Sequence, residues 1–256
     1  MPDLEAALRA RRDDGGRVFV PYVTGGLAGV DSGHLRALAD AGADAIEVGI
    51  PFSDPVMDGG VIQEASRMAL EGGTSPDAVL ATIGEADLDV PVAVMTYFNP
   101  VLHRGLQRFL TRAADAGVAG IIVPDLPVDE AAELATACRE VGIAPVQLAA
   151  PGSGPDRLRA IAEVAGGFVY CVATYGVTGE RDALGTTARE LVEALRPMTG
   201  LPLLVGVGIG TPEQAAEACT FADGVIVGSA LVRRLVEGDP AGAIALAERF
   251  RASIAA

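Results

Sequence analysis

Short apolar runs rich in Val, Ile and Leu recur along this 256-residue chain, each bounded by Gly, Pro or Asp and followed by an Ala/Leu/Glu/Arg stretch of helical period. An unbroken apolar run of strand length reads as a strand buried on both faces, and its alternation with helical segments reads as consecutive βα units of a parallel sheet. The pattern predicts strands at 17–23, 45–50, 90–97, 120–124, 144–149, 167–173, 202–207 and 223–228. Eight such units specify a closed (β/α)8 TIM barrel of α/β class. An open doubly wound sheet usually has fewer strands and carries a Gly-rich dinucleotide turn after its first one, a fingerprint that Val23-Thr24-Gly25-Gly26 lacks. An extra N-terminal helix at about 3–12 would close the N-terminal end of the barrel, and a last helix runs from about 240 to 254. With no linker dividing the chain, 1–256 reads as one domain, a length usual for a single barrel.

Composition narrows the chemistry. The formal charge of -15 repels a phosphate backbone and an anionic membrane alike, so nucleic acid and membrane surfaces are excluded as partners. No residue is Lys, and all 19 basic residues are Arg. Schiff-base aldolases, enzymes that hold pyridoxal phosphate on their own chain, and Walker-type nucleotide sites all need a lysine amine, and are excluded with it. His34 and His103 stand far apart without metal-ligand spacing, and Cys138, Cys171 and Cys219 form no CxxC pair, so no metal site is expected. His34 is expected in an outer helix and His103 just past a strand, each solvated or capping. Unpaired cysteines, no apolar leader and no run long enough to span a bilayer predict a cytoplasmic protein with reduced thiols.

In a barrel of this kind, chemistry gathers at the C-terminal ends of the strands. The polar residues expected there are Tyr22, Thr24, Glu47, Asp58, Tyr97, Asn99, Asp125, Tyr170, Thr178 and Ser229. Glu47 lies inside an apolar strand and Asp58 in the Gly/Pro/Asp loop that follows. One carboxyl group screened from water beside a better solvated one is an acid/base arrangement, although a backbone-satisfied Glu and a turn-forming Asp fit the same residues. The Gly-rich stretch 174–185 has the length of a lid. Gly206-Val207-Gly208-Ile209-Gly210-Thr211-Pro212 and Gly228-Ser229-Ala230 each run from a strand into a helix start. Such turns after strands seven and eight present backbone N–H groups to a phosphate without any lysine.

The residues Glu47-Val48-Gly49-Ile50-Pro51-Phe52-Ser53-Asp54-Pro55, with Asp58-Gly59 and Ile62-Gln63, resemble the signature of the tryptophan synthase α family. Met95-Thr96-Tyr97-Phe98-Asn99-Pro100, Pro124-Asp125-Leu126-Pro127, Tyr170, Gly176-Val177-Thr178-Gly179, Gly206-Val207-Gly208-Ile209 and Gly228-Ser229 extend the resemblance over essentially the whole chain. The resemblance implies retro-aldol cleavage of indole-3-glycerol phosphate to indole and glyceraldehyde 3-phosphate, in tryptophan biosynthesis, without metal or cofactor. It implies Glu47 as the proton shuttle and Asp58 as acceptor of the indole N–H. Tyr22, Tyr97, Asp125, Tyr170 and Thr178 would meet the substrate, and Gly179, Gly208, Gly228 and Ser229 its phosphate. It further implies a β subunit that carries pyridoxal phosphate, an α2β2 complex, and Asp54, Asn99 and Pro100 at the shared interface.

Departures from the family pattern surround the loops. Ala173-Thr174-Tyr175 replaces a Ser-x-Ser lead, Gly60 stands where Pro is common, Val207 where an aromatic is common, and Thr24-Gly25-Gly26-Leu27-Ala28 lacks the usual Gly-Asp-Pro. These leave two alternatives beside the α subunit: a stand-alone indole-3-glycerol-phosphate lyase working without β, and a non-catalytic subunit that senses ligand for a partner.

Overall fold

The computed structural model describes residues 2–173 and 181–255, with the backbone alone over 181–185. Eight strands, β1 (Val18–Thr24), β2 (Ile46–Gly49), β3 (Val92–Met95), β4 (Val118–Ile122), β5 (Ala144–Ala149), β6 (Val169–Val172), β7 (Leu203–Gly206) and β8 (Gly224–Val227), pair in parallel and in chain order. The barrel closes where β1 pairs with β8, Phe19 beside Val225 and Pro21 beside Val227. Around it lie α1 (Leu4–Asp13), α2 (Ser32–Asp40), α3 (Gly60–Glu71), α4 (Pro76–Ala86), α5 (Phe98–Arg104), α6 (Leu106–Asp115), α7 (Ala132–Glu140), α8 (Pro155–Val164), α9 (Arg181–Leu195), α10 (Pro212–Ala218), α11 (Ser229–Val236) and α12 (Pro240–Ser253). Among the described residues no helix is long and apolar enough to cross a membrane.

The period-2 alternation of each strand sends one set of side chains into the barrel and the other against the helices. Val18, Val20, Ala45, Ala93, Ile122, Val146, Phe168, Tyr170, Leu204 and Ile226 belong to the inner cluster, while Phe19, Val23, Val48, Val94, Ile121 and Cys171 belong to the outer one. Helix α1 stops the N-terminal mouth, as the sequence predicts. Its Leu4 and Leu8, almost wholly buried, pack into the inner cluster. A side chain on Gly120 would lie 2.4 Å from Leu4 Cδ2, so the glycine is the notch that admits this stopper.

Several boundaries differ from the sequence reading. Strand β3 ends at Met95 and not at 97, because Thr96 and Tyr97 turn into α5. Strand β4 spans Val118–Ile122 and not 120–124: it starts straight after the left-handed Gly117, and Pro124, without an N–H, cannot extend the ladder. The connections after β2 and β3 each hold two helices, and β8 is followed by a helix at Ser229 and the last helix at Pro240, as the sequence reading has it. His34 is buried in α2, not solvated, and its Nε2 has no hydrogen-bond partner among the described residues. His103 is exposed in the last turn of α5. Cys138, Cys171 and Cys219 are free and buried. Residues 181–185, read as the end of a Gly-rich loop, form the first turns of α9.

Candidate active site

Glu47 is placed by β2, whose Val48 faces the helices, so the carboxylate points into the barrel. It is 1% exposed, and neither of its oxygens has a hydrogen-bond partner among the described residues. A charge without partners in such a place is costly, and burial, helped by the nearby charge of Asp58, pushes the group up to about 8 from an ordinary 4.5.

Asp58 comes from the loop after β2. That loop is tied down by its own backbone, Val56 N–H to Asp54 O at 2.9 Å and Asp58 N–H to Pro55 O at 3.0 Å. The Gln63 side chain, one turn into α3, donates to Asp58 O at 2.9 Å. Burial raises Asp58 to about 6, and a hydrogen bond from the Tyr97 hydroxyl restrains the rise. Two carboxyl groups of one site therefore titrate apart, the more deeply buried one higher.

Tyr97 caps α5 and is itself buried. Its hydroxyl accepts the Met57 N–H at 2.9 Å and donates to Asp58, and its ring stacks on Phe52 at 5.0 Å between centroids. Asp125 accepts the Phe98 N–H at 2.9 and 3.2 Å, which anchors the first turn of α5 directly behind Tyr97. Tyr97 thus holds the loop that carries Asp58, and Asp125 holds the start of α5 behind it. Phe52 and Gln63 share that work and were not singled out as site residues. Gln63 stood within the motif, so the signal was present.

Tyr22 and Tyr170 line the inner face near Glu47. Both phenols are driven well above their ordinary range, first by burial and then by carboxylate charge, from Asp58 on Tyr22 and from Glu47 on Tyr170. Each ring occupies a notch left by a glycine. A Cβ on Gly49 would meet the Tyr22 hydroxyl at 2.1 Å, and one on Gly206 the Tyr170 hydroxyl at 2.4 Å. Tyr22 Oη also lies 3.4 Å from Thr24 Oγ1.

The two glycine turns differ in what they offer an anion. The start of α10 is closed upon itself. Thr211 accepts the Gln214 N–H, while Gln214 Oε1 accepts from Gly210 N–H at 2.8 Å and from Thr211 N–H at 3.1 Å. The start of α11 has no side-chain cap among the described residues, so its Gly228 and Ser229 turn keeps its N–H groups free of side chains there, and Gly208, after the neighbouring β7, is exposed. Between Gly206 and Gly208, Val207 sits at φ 62 and is 49% exposed. A β-branched residue rarely adopts that conformation.

Asp54 and Asn99 are exposed and Pro100 is half-buried on the same rim. Val56 and Met57 are exposed by 71% and 55%, and Leu102 by 55%. The Met57 to Tyr97 hydrogen bond joins the two segments that carry them. Thr178 and Gly179 lie outside the described residues. Among the described residues no group of three His, Cys, Asp or Glu is placed to hold a metal ion.

The family model described as tryptophan synthase alpha chain matches residues 8–253. The tryptophan synthase alpha chain of Carboxydothermus hydrogenoformans is 45% identical over 87% of this chain and 85% of its own length. That of Synechocystis is 43% identical over 98% and 97%. Among solved structures, a chain of Mycobacterium tuberculosis tryptophan synthase superposes with a TM-score of 0.90 at 37% identity, covering 99% of this chain and 98% of that one. The alpha subunit from Legionella pneumophila does so with a TM-score of 0.89 at 32% identity, over 99% and 98%.

Proposed function

Because this chain belongs to the tryptophan synthase alpha chain family, we propose that Glu47 and Asp58 carry the family's carbon–carbon cleavage within it. The reaction is the lyase step of tryptophan biosynthesis, which converts indole-3-glycerol phosphate to indole and glyceraldehyde 3-phosphate. The observation that carries the assignment of roles is the pair of unequal carboxyl groups, Glu47 near about 8 and Asp58 near about 6. At neutral pH Glu47 holds a proton and Asp58 does not. Glu47 delivers its proton to C3 of the indole, which makes the ring an iminium-like cation. Asp58 accepts the ring N–H and stabilises that cation where its charge is greatest. The side-chain hydroxyl next to the breaking bond then loses its proton to the Glu47 carboxylate. Its electrons form the aldehyde, the carbon–carbon bond breaks, and its electron pair restores the indole. Glu47 ends protonated, as it began.

Tyr22 and Tyr170 wall the pocket as neutral phenols. The uncapped start of α11, at Gly228 and Ser229, and the exposed Gly208 after β7 support the phosphate role that the resemblance gives them. Thr178 and Gly179 are proposed for the substrate and its phosphate on the resemblance alone. Tyr97 and Asp125 are proposed to meet the substrate on the resemblance, with Tyr97 also positioning Asp58 and Asp125 the start of α5. We read 1–256 as one cytoplasmic domain.

The solved relatives include tryptophan synthase from M. tuberculosis in an aminoacrylate-bound form, which supports a β-subunit partner for this chain. The finer proposal is an α2β2 complex in which Asp54, Asn99, Pro100 and the exposed Val56, Met57 and Leu102 face β. The test is indole release from indole-3-glycerol phosphate by the purified chain, alone and with β, with Glu47→Gln as control. Slow release that rises steeply with β and vanishes in the variant is expected. Unchanged release from the Glu47 variant would overturn the catalytic assignment.

A further inference from the structure

On the outer wall, away from the barrel mouth, a cavity of about 350 Å³ opens between the first turn of α4 and the junction of α5 with α6. Arg104, Arg108 and Arg112 line it, together with Asp77, Leu80 and Phe109. Arg108 and Arg112 are four places apart on α6, so the helical repeat sets them on one side, while Arg104 ends α5 across the turn at Gly105 and reaches the same cavity from there. Asp77 is shared between two of them, 3.9 Å from Arg104 Nη2 and 3.2 Å from Arg112 Nη1. Arg108, between those two in sequence, has no hydrogen bond or ion pair among the described residues. A neighbouring groove of about 650 Å³, also touched by Arg108, is lined by Glu133 and Glu140, and neither carboxylate pairs with it.

Three guanidinium groups against one carboxylate leave two positive charges in a concave site on a chain whose formal net charge is -15. Arg108 and Arg112, like charges four places apart on α6, weaken that helix until something neutralises them. The floor is rigid, because Phe109 and Leu80 are 1% and 3% exposed. Asp77 holds Arg104 and Arg112 beside the opening. A guanidinium presents paired N–H donors in a plane, the geometry that suits phosphoryl oxygens.

We propose that this cavity is a second anion site, separate from the phosphate turn at α11, and that it binds a small polyvalent oxyanion of the phosphate or pyrophosphate class. Arg108 supplies the uncommitted charge, while Arg104 and Arg112 close on the ligand from either side. Binding of this kind strengthens with anion charge and weakens as salt is raised.

The experiment is calorimetric titration of the full chain with pyrophosphate at low salt. It uses the wild type, Ser229→Asp, and Ser229→Asp combined with Arg108→Gln. The Ser229 change puts a carboxylate at the start of α11 and removes that site. The expected result is binding that persists in Ser229→Asp and weakens about tenfold or more on adding Arg108→Gln, the loss of one charge-assisted contact. Loss of all binding in Ser229→Asp would overturn the proposal while leaving the phosphate turn intact. Equal binding in the two Ser229→Asp chains would overturn it as well. Because Arg108 is unpaired, Arg108→Gln alone should melt at or above the wild-type temperature without ligand and release indole at the wild-type rate. A lower melting temperature would make Arg108 a structural residue and refute its role.

Discussion

Replacing Glu47 by Gln removes a buried carboxyl group that has no partner among the described residues, and its effect on stability should depend on pH. The folded group titrates near about 8 against an ordinary 4.5. Between those values the folded chain keeps a proton that the unfolded chain has lost, so wild-type stability falls as pH rises through the window. The slope is about 1.4 kcal/mol per pH unit, or roughly 5 kcal/mol across the window for a group as deeply buried as this one. At pH 7 the accumulated cost is of the order of 3 kcal/mol. Gln carries no charge in either state and escapes the slope, though its amide also lacks partners and adds a constant offset. Asp58 contributes a slope of the same sign, but both chains contain it, so subtraction removes most of that term. Urea unfolding of the two proteins at about pH 5, 6, 7 and 8 should show the variant gaining on the wild type steadily with pH, while indole release in the presence of β disappears. A stability difference flat in pH would refute the reasoning, because it would mean that Glu47 is not held protonated by its surroundings.

Tyr97→Phe removes the hydroxyl that donates to Asp58 and accepts from Met57 N–H, so the acid limb of the pH–rate profile should move to higher pH and kcat should fall about tenfold. An unmoved acid limb would show that Tyr97 does not set the titration of Asp58. Gly206→Ala puts a methyl group within 2.6 Å of the Tyr170 ring, so it should cost about 1–3 kcal/mol in denaturant unfolding and reduce kcat by displacing that ring from beside Glu47. Val207→Gly relieves the left-handed strain at φ 62 and should raise stability by about 1 kcal/mol, read as a higher urea midpoint at unchanged m-value.

The strands were legible because parallel strands buried on both faces must be written as apolar runs, and the carboxylate of Glu47 interrupts one of them. What escaped is where the chain uses contacts between distant segments. Nothing local in Met95-Thr96-Tyr97-Phe98 ends a strand. The turn into α5 is held by Asp125, 27 positions further on, a contact that nothing in the local pattern announces. His34 sits on an outer helix, where a solvated or capping role was expected, and its burial depends on how that helix packs. The two glycine turns look alike as text. Only Gln214, four residues past Gly210, closes one of them and leaves the other open.

The stopper at the foot of the barrel ties together residues that share no chemistry. Leu4 fills the space that Gly120 vacates, over a hundred positions away. Neither residue has a free choice of replacement. A bulkier residue at 120 is tolerable only if position 4 shrinks, and a smaller residue at 4 leaves a void that only a change such as Gly120→Ala could begin to refill. The two positions should therefore drift as a pair over evolutionary time. A designer who shortens or refashions the amino terminus is thereby also editing the fourth strand.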